Sequence, residues 1–219
     1  MIKSLLQFNN PNDLTKDKIK GVPWKVVGTV ASSQDGKFRT CLSMNGNGYL
    51  QNNTIDLSLD KEWTLDMWVY ASYFYNNTQS FFSISSGPTA SPRQGIFSQA
   101  GNLYIAIKST NSWNITPLDI PLNQWVHFAL VSSKNKLIAY VNGMHKLQIA
   151  TDDISLSSNS EVLIGINRTI NSPFEGLIDE FRISDSALWT SDFTPPTHEA
   201  SIYKYIFIDK NNTVMGMRE

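Results

Sequence analysis

The chain has 219 residues, 41% hydrophobic and only 17% charged, with a net charge of −1. That length suits a single β-sandwich, and folding hides about 70% of the unfolded surface, enough for a full core. The near-neutral balance, with no long basic run, excludes nucleic-acid binding by phosphate neutralisation.

Cys41 is the single cysteine, so no internal disulfide forms, and it reads as a small buried hydrophobe. No stretch reaches membrane-helix length, so no membrane insertion is expected. Met1 to Phe8 lacks the apolar centre of a signal peptide. The expectation is synthesis in a cytoplasm without export.

Leu5, Leu6 and Phe8 make a first strand, closed by Asn9, Asn10 and Pro11. Trp24 to Val30 is a second strand, and Ser32 to Lys37 turns around Asp35-Gly36. Phe38 to Met44 returns, and Asn45-Gly46-Asn47-Gly48 reads as a tight hairpin reversal. In Trp63 to Tyr70, Leu65, Met67 and Val69 share one face while Asp66, Trp68 and Tyr70 share the other. Both faces carry large side chains, so an inner strand covered on both sides is expected.

Phe81 to Ser85, Gly95 to Ser98 and Leu103 to Lys108 are three more short strands, joined by the polar loops Ser72 to Thr78 and Ser86 to Gln94. In Trp125 to Ser132, Trp125, His127, Ala129 and Val131 alternate with Val126, Phe128 and Leu130. Leu137 to Val141 and Met144 to Ala150 flank Asn142-Gly143, the strongest short hairpin signal because both residues tolerate positive φ. Val162 to Ile166 precedes the closing stretch. There Leu177 to Ile183 reads as a strand whose alternation is broken by Asp179 and Glu180, two charges that need partners if buried. Asp185 to Trp189 reads as one helical turn, and Pro195-Pro196 ends it.

The stretch Gly176-Leu177-Ile178-Asp179-Glu180-Phe181-Arg182-Ile183 resembles the closing strand of laminin-G-like, or concanavalin A-like, jelly-roll domains. Pro121-Leu122-Asn123-Gln124-Trp125-Val126-His127 and Tyr140-Val141-Asn142-Gly143 resemble two further motifs of that superfamily, and Trp63 to Val69 a third, more loosely. The ending Asp192-Phe193-Thr194-Pro195-Pro196-Thr197 is similar to the version common in bacteriophage structural proteins. The resemblance implies an all-β antiparallel sandwich over residues 1–200, with 201–219 a C-terminal strand or attachment tail. It implies a virion protein on the phage particle exterior, in a tail or fibre. Its partners would be cell-surface glycan or other virion proteins. A homo-oligomer, a trimer by analogy with phage fibres, is expected from Ile202 to Ile208. A bacterial carbohydrate-binding module is the alternative, and a glycan hydrolase a distant third.

Retaining glucanases of this superfamily carry Glu-x-Asp-x-Glu or Glu-x-Asp-x-x-Glu on one strand. Neither Asp56, Asp60 and Glu62 nor Glu175, Asp179 and Glu180 has that spacing, so no catalytic residue is assigned. His127, His145 and His198 lack a nucleophile elbow nearby, and His127 reads as a hydrogen-bonded sheet residue. Exposed loop aromatics beside amides suit sugar rings. They are Tyr73, Phe74 and Tyr75 with Asn76 and Asn77, and Trp113 between Asn111 and Asn114. Trp113 as an edge cover of the core is the competing role. Related jelly rolls hold calcium near the closing strand, so the resemblance implies Asp179 as a ligand, with Asn9 and Asp13 as partners. Backbone hydrogen bonds, or pairing with Arg182 or Arg168, are the other roles open to Asp179.

Overall fold

The computed structural model describes residues 1–19, 21–74, 79–86, 95–154, 156, 160–169 and 171–202, and the backbone of 206–208 and 214–217. Two antiparallel sheets face each other, and no helix occurs among the described residues. The first strands are β1 (Ile2–Leu6), β2 (Lys25–Gly28), β3 (Ala31–Ser33), β4 (Cys41–Asn45), β5 (Gly48–Asn52) and β6 (Trp63–Tyr70). Next come β7 (Phe82–Ser85), β8 (Gly95–Gln99), β9 (Asn102–Ile107), β10 (Ser112–Pro117) and β11 (Trp125–Ser133). The chain continues through β12 (Lys136–Val141), β13 (Met144–Ala150), β14 (Glu161–Ile164) and β15 (Glu175–Ser184). A separate hairpin, β16 (Ile206–Ile208) with β17 (Val214–Met217), joins neither sheet.

The eight-stranded sheet runs β13-β12-β11-β6-β15-β4-β3, with β1 also on β15. The seven-stranded sheet runs β10-β9-β8-β7-β14-β5-β2. The Asn45 to Gly48 reversal is therefore not a hairpin: β4 lies in one sheet and β5 in the other, so the turn carries the chain across the sandwich. Gly28 permits the close packing there. Its φ is +76°, and a Cβ would stand 2.1 Å from the Asn47 carbonyl oxygen.

Between the sheets lies a continuous apolar core. Phe128 stands 5.4 Å from Phe81 and 5.2 Å from Phe82, and Phe81 is 6.2 Å from Phe174. Leu65, Met67 and Val69 of β6 face this core, as their alternation requires. Cys41 is fully buried, and burial pushes its thiol up to about 12, so it behaves as a hydrophobe at neutral pH.

The broken alternation of β15 is a β-bulge. Its register against β6 shifts between Asp179 and Arg182, and Glu180 has φ +50°. The bulge falls where one edge of β15 changes partner, from β4 at Glu175 to Ile178 to β1 at Phe181 to Ser184. An extra residue there lets Ile178, Phe181 and Ile183 all reach the core.

Residues 185–200 form no helical turn. They cross the outer face of the eight-stranded sheet as an irregular strap. Trp189 and Phe193 stack on each other at 4.0 Å and pack on Ala129, Val131, Ile138 and Tyr140. Leu188 N–H donates to Thr64 Oγ1 at 2.9 Å, and His145 N–H donates to Asp192 Oδ1 at 2.9 Å. At Gly143, φ is +77° and a Cβ would lie 1.8 Å from the Phe193 carbonyl oxygen, so the strap sits directly on the Asn-Gly turn.

Candidate functional site

The strap covers part of the outer face of the eight-stranded sheet. Beneath it Asp66, 3% exposed, receives Arg182 Nε and Nη2 at 2.9 Å each, and lies 3.1 Å from His127 Nε2. Burial alone would push the Asp66 carboxyl up; Arg182 and His127 outweigh it and hold it below the ordinary carboxylate range. His127 is fully buried, with Trp189 and Phe193 against its ring, so it serves the sheet as a hydrogen-bonded residue.

The outer face of the seven-stranded sheet is built differently. Strand register places Leu163, Ser83, Phe97, Tyr104 and Ile115 in one cross-strand row, because β14, β7, β8, β9 and β10 are successive neighbours. Phe97 and Tyr104 stack with ring centroids 5.0 Å apart and planes 7° apart. Trp113, opposite Ala106, stands edge-on to Phe97 at 5.0 Å. Tyr104 and Trp113 are half-buried, and Ile115 is 53% exposed. In the adjoining row Glu161 lies opposite Ser85, and Ser85 opposite Gly95. Gln51 Nε2 donates to Glu161 at 2.7 Å and Ser85 Oγ at 3.4 Å. Burial lowers the Arg168 guanidinium while the Glu161 carboxylate opposes that shift. Glu161 and Phe97 are buried, at 6% and 8% exposure, so the accessible part of the group is its β9–β10 edge, where Tyr104, Trp113 and Ile115 offer the flat apolar faces that sugar rings use.

Of the residues expected to bind glycan, Trp113 stands in this group, but on strand β10 rather than in a loop. Asn114, opposite the core residue Ile105, belongs to the other face of β10 and does not join Trp113. The loop expectation failed because β10 has no apolar inner face: Asn114 and Thr116 occupy its inward positions at a sheet edge. Tyr73 is exposed and its hydroxyl donates to the Glu175 carboxylate. The following residue, Phe74, packs on Gly101, beside the start of β9, whereas Trp113 pairs near its end. Tyr75, Asn76 and Asn77 lie outside the described residues. Phe97, Tyr104 and Glu161 were missed from sequence; the available signal was their strand parity opposite to Ile96, Ile105 and Val162.

Asn9 Nδ2 donates to Glu199 at 2.8 Å, and its Oδ1 is buried without a hydrogen-bond partner. Asp13 accepts the Thr15 hydroxyl at 2.8 Å and, with Asn9, lines a pocket of about 110 Å³. Asp179 does not line it. It accepts N–H bonds from Phe38 at 3.3 Å and Glu180 at 2.8 Å, which is the backbone role rather than a pair with Arg182. Glu180 accepts Gln7 Nε2 at 3.0 Å and Ala200 N–H at 2.7 Å. Burial pushes Asp179 and Glu180 each up to about 7, against these hydrogen bonds. Among the described residues no three His, Cys, Asp or Glu side chains form a metal-holding group. Of these three residues, Asn9 alone has a side-chain atom that is buried without a hydrogen-bond partner.

Two facing antiparallel sheets, one capped by a strap and the other presenting aromatics, define a lectin-like jelly roll. The chain belongs to the concanavalin A-like lectin/glucanases superfamily, whose laminin G-type family model matches residues 44–192. None of the curated proteins matches it in sequence. Among solved structures it is similar to domain 4 of AbnA, a GH43 extracellular arabinanase from Geobacillus stearothermophilus, in complex with arabinotriose. That likeness covers 86% of this chain and 94% of the other, with a TM-score of 0.64 and 23% identity. The binding domain of Paraclostridial Mosquitocidal Protein 1 is similar over 85% of this chain, at TM-score 0.59 and 15% identity. The binding domain of botulinum neurotoxin DC, in complex with rat synaptotagmin II, is similar over 86%, at TM-score 0.60 and 14% identity. The chain spans about half of each toxin domain, at 49%. At these identities the likeness is one of fold.

Proposed function

We propose that this domain is a noncatalytic glycan-binding module whose binding surface is the outer face of the seven-stranded sheet, centred on Trp113. The observation that carries this reading is the half-open indole standing on the stacked Phe97–Tyr104 pair, beside exposed Ile115. Support for sugar comes from the AbnA domain, seen with arabinotriose. Support for a noncatalytic role comes from Glu161, the single carboxylate among the described strand residues of that face. Glycosidases need two carboxyl groups, about 5 to 9.5 Å apart.

The Asp192 to Thr197 ending supports a place on the exterior of a bacteriophage virion, in a tail or fibre, and the aromatic sequence Ile202 to Ile208 supports a homo-oligomer. A bacterial carbohydrate-binding module is the alternative setting. A neighbouring virion subunit is a second ligand class, favoured by the neurotoxin binding domain in complex with synaptotagmin II. The test is a glycan array on the purified protein and its Trp113→Ala variant. Retention of a defined glycan, weakened at least about tenfold in the variant, is expected. Equal binding by the variant refutes the site. Reducing-end release from the bound glycan refutes the noncatalytic role.

A further inference from the structure

Three Asn-Gly pairs occur in the chain: Asn45-Gly46, Asn47-Gly48 and Asn142-Gly143. Such a pair holds its own electrophile and nucleophile, the side-chain amide carbon of asparagine and the backbone nitrogen of glycine. Glycine leaves that nitrogen sterically open and lets the backbone turn to meet it. The fold treats the three pairs unequally.

Asn142 Oδ1 accepts the N–H of fully buried His127 at 3.0 Å, and Asn142 N–H donates to the His127 carbonyl at 2.8 Å. The Gly143 carbonyl accepts Phe193 N–H at 3.0 Å, under the strap. Bringing the Asn142 amide onto the Gly143 nitrogen would break its bond to the sheet. Asn47 is held through its carbonyl, which accepts Thr29 N–H at 3.0 Å. Gly48 is buried, and a Cβ there would stand 2.5 Å from the Thr29 nitrogen. The Asn47–Gly48 peptide therefore cannot swing without parting β2 from β5, which pair at Gly28 and Gly48.

Asn45-Gly46 lacks these restraints. Asn45 is exposed, and Gly46 has φ +80°. The nearest atoms that a Cβ on Gly46 would meet belong to the Glu175 side chain, from 3.2 Å outward. Asn45 Oδ1 accepts Asn47 N–H at 3.1 Å, closing an Asx turn. That turn folds the side-chain carbonyl back over the Asn45–Gly46 peptide and brings Cγ toward the Gly46 nitrogen, part of the way to attack. The Asn47 N–H also polarises the carbonyl and faces the oxyanion that attack creates.

We propose that Asn45 is a site of spontaneous deamidation, selected by the fold over Asn47 and Asn142. The Gly46 nitrogen loses its proton to solvent base and bonds to Asn45 Cγ. The Cγ–Nδ2 bond breaks, Nδ2 leaves as ammonia, and a succinimide remains. Water then adds to one ring carbonyl, that carbon's bond to the Gly46 nitrogen breaks, and the nitrogen regains a proton. Opening at Cγ gives aspartate, and opening at the backbone carbon gives isoaspartate. Asn45 lies directly opposite Glu175 across β4 and β15, so either product sets a second carboxylate against the first. Like charges directly opposite are destabilising. Isoaspartate also lengthens the backbone by one methylene where the chain crosses between the sheets.

The test incubates the full chain at mildly alkaline pH in heavy-oxygen water, with a parallel sample unfolded in guanidinium chloride. Peptide mapping by mass spectrometry with electron-transfer fragmentation separates aspartate from isoaspartate, and the heavy oxygen marks conversion that preceded digestion. The folded-to-unfolded rate ratio at each asparagine removes the intrinsic chemistry. That ratio should be at least about tenfold higher at Asn45 than at Asn47 or Asn142. Asn45→Gln, whose ring closure is slower, should remove the first acidic species seen on ion exchange. Asn45→Asp should lower the melting temperature, and adding Glu175→Gln should restore most of the loss. A ratio at Asn45 no higher than at the other two, or an acidic species that persists in Asn45→Gln, would overturn the site. An Asn45→Asp variant that melts with the parent would overturn the consequence assigned to Glu175.

Discussion

Raising the pH from 5 to 8 should destabilise this domain, through the two carboxyls of the β15 bulge. Asp179 is 1% exposed and its carboxyl is raised from 3.8 to about 7; Glu180 is 6% exposed and raised from 4.5 to about 7. Burial is the leading cause in both, and their mutual charge adds to it for Glu180. Below about pH 4 both groups are protonated whether the chain is folded or unfolded, and their stabilisation is fully present. As pH rises, the unfolded chain releases its protons first, so stability falls until the folded groups ionise near pH 7. At about 1.4 kcal/mol per pH unit, Asp179 alone loses roughly 2–3 kcal/mol between pH 5 and 7. For a domain of this size that is a fall in melting temperature of about 5–10 °C. Asp56, Asp66 and Asp185 work in the opposite sense: burial would raise them, but Lys61, Arg182 and Lys3 among other partners hold them below 3.8, so their stabilisation is lost as pH falls through the acid range. A stability maximum near about pH 4 follows. The assay is thermal unfolding at quarter-unit pH steps in chelator, repeated on Asp179→Asn and Glu180→Gln. Each variant should flatten the slope, since the isosteric amide cannot ionise. A melting temperature level or rising from pH 5 to 8, or an unchanged slope in both variants, refutes the reasoning.

Arg182→Met should cost about 3–5 kcal/mol, because it leaves the Asp66 carboxylate buried beside His127 without its bidentate partner; denaturant unfolding measures the loss. Gly143→Ala should cost more than about 1 kcal/mol and loosen the strap, since the position has φ +77° and the new methyl meets the Phe193 carbonyl; added exchange of the Phe193 amide reports it. If Asp179 holds calcium, as the superfamily resemblance implies, chelator should lower the melting temperature, added calcium should restore it and Asp179→Ala should remove the response; an unchanged melting curve leaves Asp179 to its backbone bonds. If the proposed homo-oligomer forms through the C-terminal segment, truncation after Ala200, which removes the separate β16–β17 hairpin, should abolish it in light scattering with the sandwich still folded, and a monomeric full-length chain refutes it.

Most of the sandwich was legible in the chain, because strand alternation and turn chemistry are local. The alternation in Trp63 to Tyr70 and Trp125 to Ser132, and the Asn142-Gly143 turn, reappear as β6, β11 and the β12–β13 hairpin. Where local signals ran out, tertiary context decided. Asn45 to Gly48 encodes a reversal in either case, and only the packing of Gly28 on Asn47 and the pairing partners of β4 and β5 send it between sheets. The Asp179–Glu180 break in alternation was visible, but its meaning as a bulge depends on β4 and β1 sharing one edge of β15. The helical turn expected at Asp185 to Trp189 yielded to the stacking of Trp189 and Phe193 on the sheet. The aromatic group was least legible of all. Phe97, Tyr104 and Trp113 come from three strands, and which of their faces meet is set by cross-strand register, a property that no single segment carries.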